Sequence, residues 1–384
     1  MAIYLIVMMC TLTHAGFGGS RVVVALYALE LGASQFTIGV LMALYALCPM
    51  LLAVYIGKLA DRVGPRLPMT LGTVGVALAL LLPPVFPGMI TLYFSALLLG
   101  TSFHFFFVTV TGIAGGIGGV EKRSRNYALV SLGFSAAGFL GPMAAGFAID
   151  YLGHLPAFMM LAVFTVIPIA LLLFRPGFLP KALKHEGDST KNSAFDLWRI
   201  PKLRNTFIAS GIISAAWDLF QFYFPVYGHS IGLSASAIGT VLGVFALATF
   251  VIRVVLPRLV KRSSEAEILT YSIFVAACAF ALFPFFHGAV TLAAIAFLLG
   301  LGVGCGQPMS MSLIYTLAPP ARVAEAAGLR VMVNNFMHLV IPLAFGSVGA
   351  AFGYTPVFIT NSVMLVAGGF IMRRNNAPDP DSRV

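Results

Sequence analysis

Side chains able to do chemistry are scarce in this chain, and several fall inside long apolar runs. His14, Gly18 and Arg21 are spaced i, i+4, i+7, so a helix through them presents all three on one face. Ser214, Asp218, Gln221 and Pro225 repeat that pattern, and Arg330, Asn334 and His338 are spaced by four. His104 and the pair Gln307-Pro308 stand in two further apolar runs. Asp and His can exchange a proton, whereas Arg stays charged and can dock an anion. Asn and Gln offer a donor and an acceptor at once. In surroundings without water each such group is costly, so each is a candidate for solute binding or proton handling. At about 1.5 Å per helical residue, Arg21 and Asp218 each lie about 16–18 Å from the end of their run, near its middle. A pair of this kind can change charge only through Asp218. A proton or an anionic solute would then compete for its members.

Each residue also has a plainer reading. Arg21 and Asp218 can form a structural ion pair. His14 and His104 can be packing residues, and Arg330 can reach outward to an aqueous surface. Arg253 reads as holding a helix end, and the Met and Phe stripes as packing or lipid-facing surface. There is no GxSxG, HExxH or phosphate-binding loop, so neither an enzyme nor a cofactor is expected. Cys10, Cys48, Cys278 and Cys305 sit in apolar runs without CxxC spacing, which predicts no disulfide and no metal site.

The composition says what must position these residues. Hydrophobic residues make up 59% and charged residues 9% of the 384, against about 25% charged in a soluble domain. Mean hydropathy is +0.97. A water-soluble fold of this length could not cover so much apolar surface. The net charge of +10 does not indicate nucleic-acid binding, because the basic residues lie in short groups between apolar runs. The chain is apolar from its third residue and lacks a basic leader, so this run reads as a first, retained span.

A span needs about 20 apolar residues. Twelve runs qualify: 3–31, 38–57, 68–86, 89–117, 126–150, 155–174, 206–231, 238–259, 268–286, 289–317, 323–350 and 355–372. Of the 23 Lys and Arg, all but Arg21, Arg253 and Arg330 fall in or beside the even-numbered connections or in the tail. The positive-inside rule then puts both termini in the cytoplasm of a bacterial inner membrane, with the protein multi-pass.

The two halves of the chain match at a constant offset of 200 residues. Tyr27, Gly32, Ser34, Ile38 and Gly39 pair with Tyr227, Gly232, Ser234, Ile238 and Gly239. Gly100, Pro142, Gly146, Gly153 and Phe158 pair in the same register with Gly300, Pro342, Gly346, Gly353 and Phe358. This predicts an all-α membrane protein of two pseudo-symmetric six-helix bundles, 1–175 and 206–373. A cytoplasmic linker, 176–205, joins them and a tail, 374–384, follows. The linker piece FDLWRIPKLR reads as amphipathic and resting on the membrane surface. Doubled folds of this type are built to carry a solute bound between the halves.

Two motifs add a family resemblance. GKLADRVGPR, from Gly57 to Arg66, lies between the second and third spans and resembles the signature of the major facilitator superfamily. The resemblance implies a conformational latch of Gly57, Asp61, Arg62 and Arg66. In it Asp61 faces a helix N-terminus of the other half, and the arginines meet acids or lipid phosphates. AGFLGPMAAG in the fifth span, with Gly138, Gly141, Pro142 and Gly146, is similar to the motif of drug:proton antiporters in that superfamily. The implied protein is a monomeric secondary transporter whose partners are a small-molecule solute, protons and membrane lipids. Its expected activity is proton-coupled efflux. The alternatives are proton-coupled uptake of an organic anion, which Arg21 and Arg330 would dock, and a receptor on the same fold.

Overall fold

The computed structural model describes residues 2–117, 120–174, 177, 179, 194–319 and 322–374. The expectations for Gly57 and the Asp61 side chain lie outside the described residues, as do those for most of the linker and the tail.

The chain is all-helical. The first bundle comprises α1 (Ala2–Glu30), α2 (Gln35–Val63), α3 (Arg66–Val85), α4 (Met89–Gly116), α5 (Val120–Leu152) and α6 (His154–Phe174). The second comprises α7 (Pro201–Ser230), α8 (Ala235–Leu259), α9 (Glu265–Leu282), α10 (Ala289–Gly304), α11 (Gly306–Leu317), α12 (Val323–Phe352) and α13 (Tyr354–Arg373). Among the described residues twelve helical segments are long and apolar enough to cross a membrane, with α10 and α11 counting as one. That tenth span was expected to be continuous, but it breaks at Cys305. The cause is local: Pro308 has no N–H to return to the carbonyl of Gly304.

The linker piece also departs from expectation. Ala194–Arg199 forms a short 3-10 helix, and Pro201 then starts α7 five residues early, at a position where its missing N–H costs nothing. Leu197 is buried with Leu203, Phe207, Ile314 and Leu329, and the Trp198 ring stacks 5.7 Å from that of Phe207. This piece packs its apolar residues on the second bundle.

The 200-residue repeat is visible as geometry. Gly32 and Gly232 turn the chain at φ of 79° and 83°. Ser34 and Ser234 then cap α2 and α8, accepting from Thr37 N and Ala237 N at 3.2 Å each. The halves join through two seams related by the same repeat. Gly39 of α2 lies against the Pro342 carbonyl of α12, and Gly239 of α8 against the Pro142 carbonyl of α5. A Cβ at either glycine would strike that oxygen, so the small residue is what lets the helices touch. Gly146 likewise meets the Ala235 carbonyl.

Polar contacts fasten the same end of the molecule, the end that carries Gly32 and Gly232. Asp150, at the end of α5, accepts from Ala235 N at 3.0 Å and Ser236 N at 2.8 Å. A carboxylate there satisfies free amides and faces the positive end of the α8 dipole. Across the other seam Tyr223 donates to Gln35 Oε1 at 2.7 Å. At the opposite, linker end, Arg66 donates to the carbonyls of Leu172 and Leu173, and Arg125 to Tyr4. Glu265 accepts from Ser312 there as well. These contacts stay within one half. Arg62 is exposed. Arg66 therefore braces α3 against α6.

The Asp150 cap predicts that Asp150→Ala loosens the Gly32 end. Spin labels at Leu31 and Ser230, in a cysteine-free background, should show more of the longer distances. A dipole contact of about 0.3–1 kcal/mol changes the population ratio about two- to fivefold. An unchanged distance distribution would remove Asp150 as a fastener.

Candidate functional site

The site is built on α7, whose Asp218 is only 5% exposed. Its Oδ1 pairs with Arg21 Nη1 of α1 at 3.5 Å, and its Oδ2 with His338 Nδ1 of α12. One carboxylate thus ties the first half to two helices of the second. The i, i+4 spacing on α7 and α12 explains the arrangement, because two ladders of polar residues face each other. Ser210 donates to Asn334 Oδ1 at 3.1 Å, and Ser214 Oγ lies 3.4 Å from His338 Nε2. Arg330, the lowest rung, gives Nη1 to Ser210, Gln307 and Ser310 at 2.9–3.2 Å. It is 7% exposed and points inward, so it does not reach for the surface.

The Arg21 guanidinium lies 5.4 Å from the Phe17 ring centre and 5.6 Å from that of Tyr45. Such faces attract a cation and hold it in place without neutralising it. His14 sits among the rings of Phe17, Phe103 and Phe134 at 5.0–6.1 Å, and its Nδ1 is buried without a hydrogen-bond partner. His104 Nε2 is buried and unpartnered too.

These groups surround a central cavity of about 310 Å³. Arg21, Asp218, Gln221, His14, Gln307 and His338 line it, as do Gly138 and Pro142 of α5. Arg330 stands behind Gln307, and Asn334 behind Ser210. His104 does not line the cavity; it lies beside Phe107, with ring centres 6.3 Å apart. Gly141 and Gly146 serve contacts instead: Gly141 lies against Ala15 and Gly19 of α1, Gly146 against α8.

Sequence reasoning missed part of the wall. Phe17, Phe107, Phe134 and Trp217 line the cavity, the three Phe departing from the expectation of packing or lipid-facing surface. Arg253 of α8 also faces the cavity, with Nη1 at 3.5 Å from Ser131 Oγ and 3.4 Å from Ser135 Oγ of α5. Its presence inside an apolar run was the available signal. Among the described residues no group of three or more His, Cys, Asp or Glu side chains is placed to hold a metal ion. The arrangement puts a carboxylate and an imidazole, groups whose chemistry permits proton exchange, in the wall of a cavity of small-solute size.

Comparison with known proteins agrees with this architecture. A family model described as Major Facilitator Superfamily matches residues 6–342 and again 268–383. Multidrug resistance protein 2 of Bacillus subtilis is 25% identical over 243 residues, 62% of this chain; the match spans 61% of that protein's length. Multidrug resistance protein MdtG of Klebsiella pneumoniae is 24% identical over 367 residues, covering 92% of this chain and 88% of that one. A crystal structure of the nucleoside transporter NupG superposes with a TM-score of 0.82 at 14% identity, covering 98% of this chain and 100% of that one. A doubled twelve-span bundle around a polar central cavity, matched by the family model over most of its length, belongs to the major facilitator superfamily: the protein is a multi-pass secondary transporter and not an enzyme.

Proposed function

We propose that this transporter exports a small organic solute in exchange for protons, and that Asp218 is the proton site. The observation that carries the reading is the position of Asp218. It is the only carboxylate lining the central cavity among the described residues, and it is held across the halves by Arg21 and within its own half by His338. Arg21 keeps its charge, so the contact between the halves switches at Asp218, with His338 as its second titratable partner. A neutral Asp218 no longer attracts Arg21, and the α1–α7 contact weakens. A solute that binds only while the Asp218–Arg21 pair holds the halves together is displaced by the proton, and this is exchange. Such competition is reciprocal by linkage. The multidrug resistance names of the two relatives support export.

The Asp150 and Tyr223–Gln35 contacts fasten the halves at the Gly32 end, which supports access from the opposite, linker side. We assign that side to the cytoplasm, with both termini, because the loop cations collect there. The functional unit is a monomer of two bundles, 1–175 and 206–373, joined by a linker. The second reading is uptake of an organic anion together with protons. The observation that favours it is the arginine in the cavity wall: a proton on Asp218 frees Arg21, and an anion is then recruited rather than expelled.

Three outcomes follow. A cysteine introduced at Gly187 should resist membrane-impermeant maleimide in intact cells; labelling from outside would reverse the orientation. In proteoliposomes, Asp218→Asn should abolish the pH-driven component of transport and retain solute binding. Proton-driven flux at the wild-type rate in that variant would eliminate the mechanism and move the search to His14, His104 and His338. The sign of proton flux against solute flux separates exchange from co-transport. Finally, Arg21→Met should lower the unfolding midpoint, and adding Asp218→Asn should recover part of the loss. The coupling in this double-mutant cycle should be about 0.5–3 kcal/mol. Additive losses would show that the two side chains do not act as a pair.

A further inference from the structure

We propose that Arg253 is the docking group for a small organic monoanion, a carboxylate or sulfonate with an aromatic or other apolar body. The inference rests on the central cavity being the solute site and holds for either direction of transport. Three arginines lie within the spans, and their partners differ. Arg21 is committed to Asp218. Arg330 is surrounded by three neutral acceptors at good distance and stands behind Gln307. Arg253 lines the cavity, and its hydrogen-bond partners among the described residues are two serine hydroxyls, at 3.4 and 3.5 Å, the long limit of a hydrogen bond. No carboxylate among the described residues pairs with it. A cation within the membrane span is costly unless an anion meets it, and a bound solute would supply that anion. The planar guanidinium matches a carboxylate or sulfonate through two parallel hydrogen bonds.

The rest of the cavity describes the remainder of the solute. Phe107, Phe134 and Trp217 give an apolar wall, and Gln221 and Gln307 add neutral polar groups. About 310 Å³ is at the small end for ligand pockets. One uncommitted cation suits a monoanion and not a polyphosphate. Ser131 and Ser135 belong to α5 and Arg253 to α8, so an anion docked there sits on the seam between the halves. Asp218 lies on a different helix and remains free to exchange its proton.

The test needs no gradient. Purified protein carrying Trp198→Phe leaves Trp217, in the cavity wall, as the sole tryptophan reporter. Benzoate, benzamide and benzamidine have nearly the same shape and carry charges of −1, 0 and +1; 2-naphthoate and 2-naphthamide extend the series. The acids should quench Trp217 saturably and bind at least tenfold more tightly than the amides and the amidine. Arg253→Gln should weaken acid binding at least tenfold, and Arg253→Lys should restore part of it. Equal or tighter binding of the amides or the amidine, no acid binding, or acid binding unchanged in Arg253→Gln would overturn the proposal. If Arg253→Gln does not fold, the charge series on the parent protein decides alone. Loss of proton coupling in Asp218→Asn without any acid preference would sink this inference and leave the transport reading standing. Acid binding lost in Arg253→Gln, with coupling intact in Asp218→Asn, would do the reverse.

Discussion

Backbone touching backbone is what joins the two halves of this molecule. In a bilayer, apolar side chains gain little by leaving lipid for protein, so helices associate through close packing and hydrogen bonds. Gly39 and Gly239 let α2 reach α12 and α8 reach α5 at carbonyl distance, and the cavity lies between these two seams. Asp150 and the Tyr223–Gln35 bond fasten the same end. These fasteners lie at one end, while Arg21–Asp218 and the Arg253 contacts with Ser131 and Ser135 join the halves farther along the helices. The fifth-span motif acquires a physical role here. Gly141 packs on α1 inside its own half, while Pro142 and Gly146 pack on α8 of the other. One small-residue stripe therefore serves both a rigid contact and a moving one.

The cavity carries the second constraint, its balance of charge. Asp218 is shared by Arg21 and His338, and among the described residues Arg253 has only hydroxyl partners. The positive groups therefore exceed the negative ones around the cavity among the described residues. The facing ladders of α7 and α12 hold this arrangement in place: Ser210, Ser214 and Asp218 meet Arg330, Asn334 and His338 rung by rung. Every rung lies one helical turn from the next, so a rotation of either helix would unmake all of them together. Such a set has discrete arrangements rather than a continuum, as a switching transporter requires.

Several elements read differently in three dimensions, each for an identifiable reason. The tenth span breaks because Pro308 removes one hydrogen bond from the ladder, a feature present in the sequence but overridden by the length of the apolar run. Trp198 and Leu197 pack on α7, α11 and α12 because a groove there accepts them. Phe17, Phe107, Phe134 and Trp217 face a solute-sized space. Aromatic side chains have the same composition signal whether they meet lipid, protein or solute, so only their direction separates the three. His104 shows the converse: a polar residue in an apolar run that does not reach the cavity.

The sequence by itself determined the solvent, the number of spans, the doubled architecture and the short set of polar residues from which a site could be made. These follow from local rules: the length of an apolar run, the side on which loop cations collect, and a register repeated at 200 residues. It also singled out Arg21 and Asp218, because a charge in an apolar run declares itself without any knowledge of contacts. Only the tertiary structure decided who meets whom. His338 became the second partner of Asp218, Arg330 found neutral company, and Arg253 was left facing the cavity with two serines. The reason is that helix rotation and the crossing of helices far apart in the chain choose these partners. Packing of distant glycines sets both, and no window along the sequence contains them.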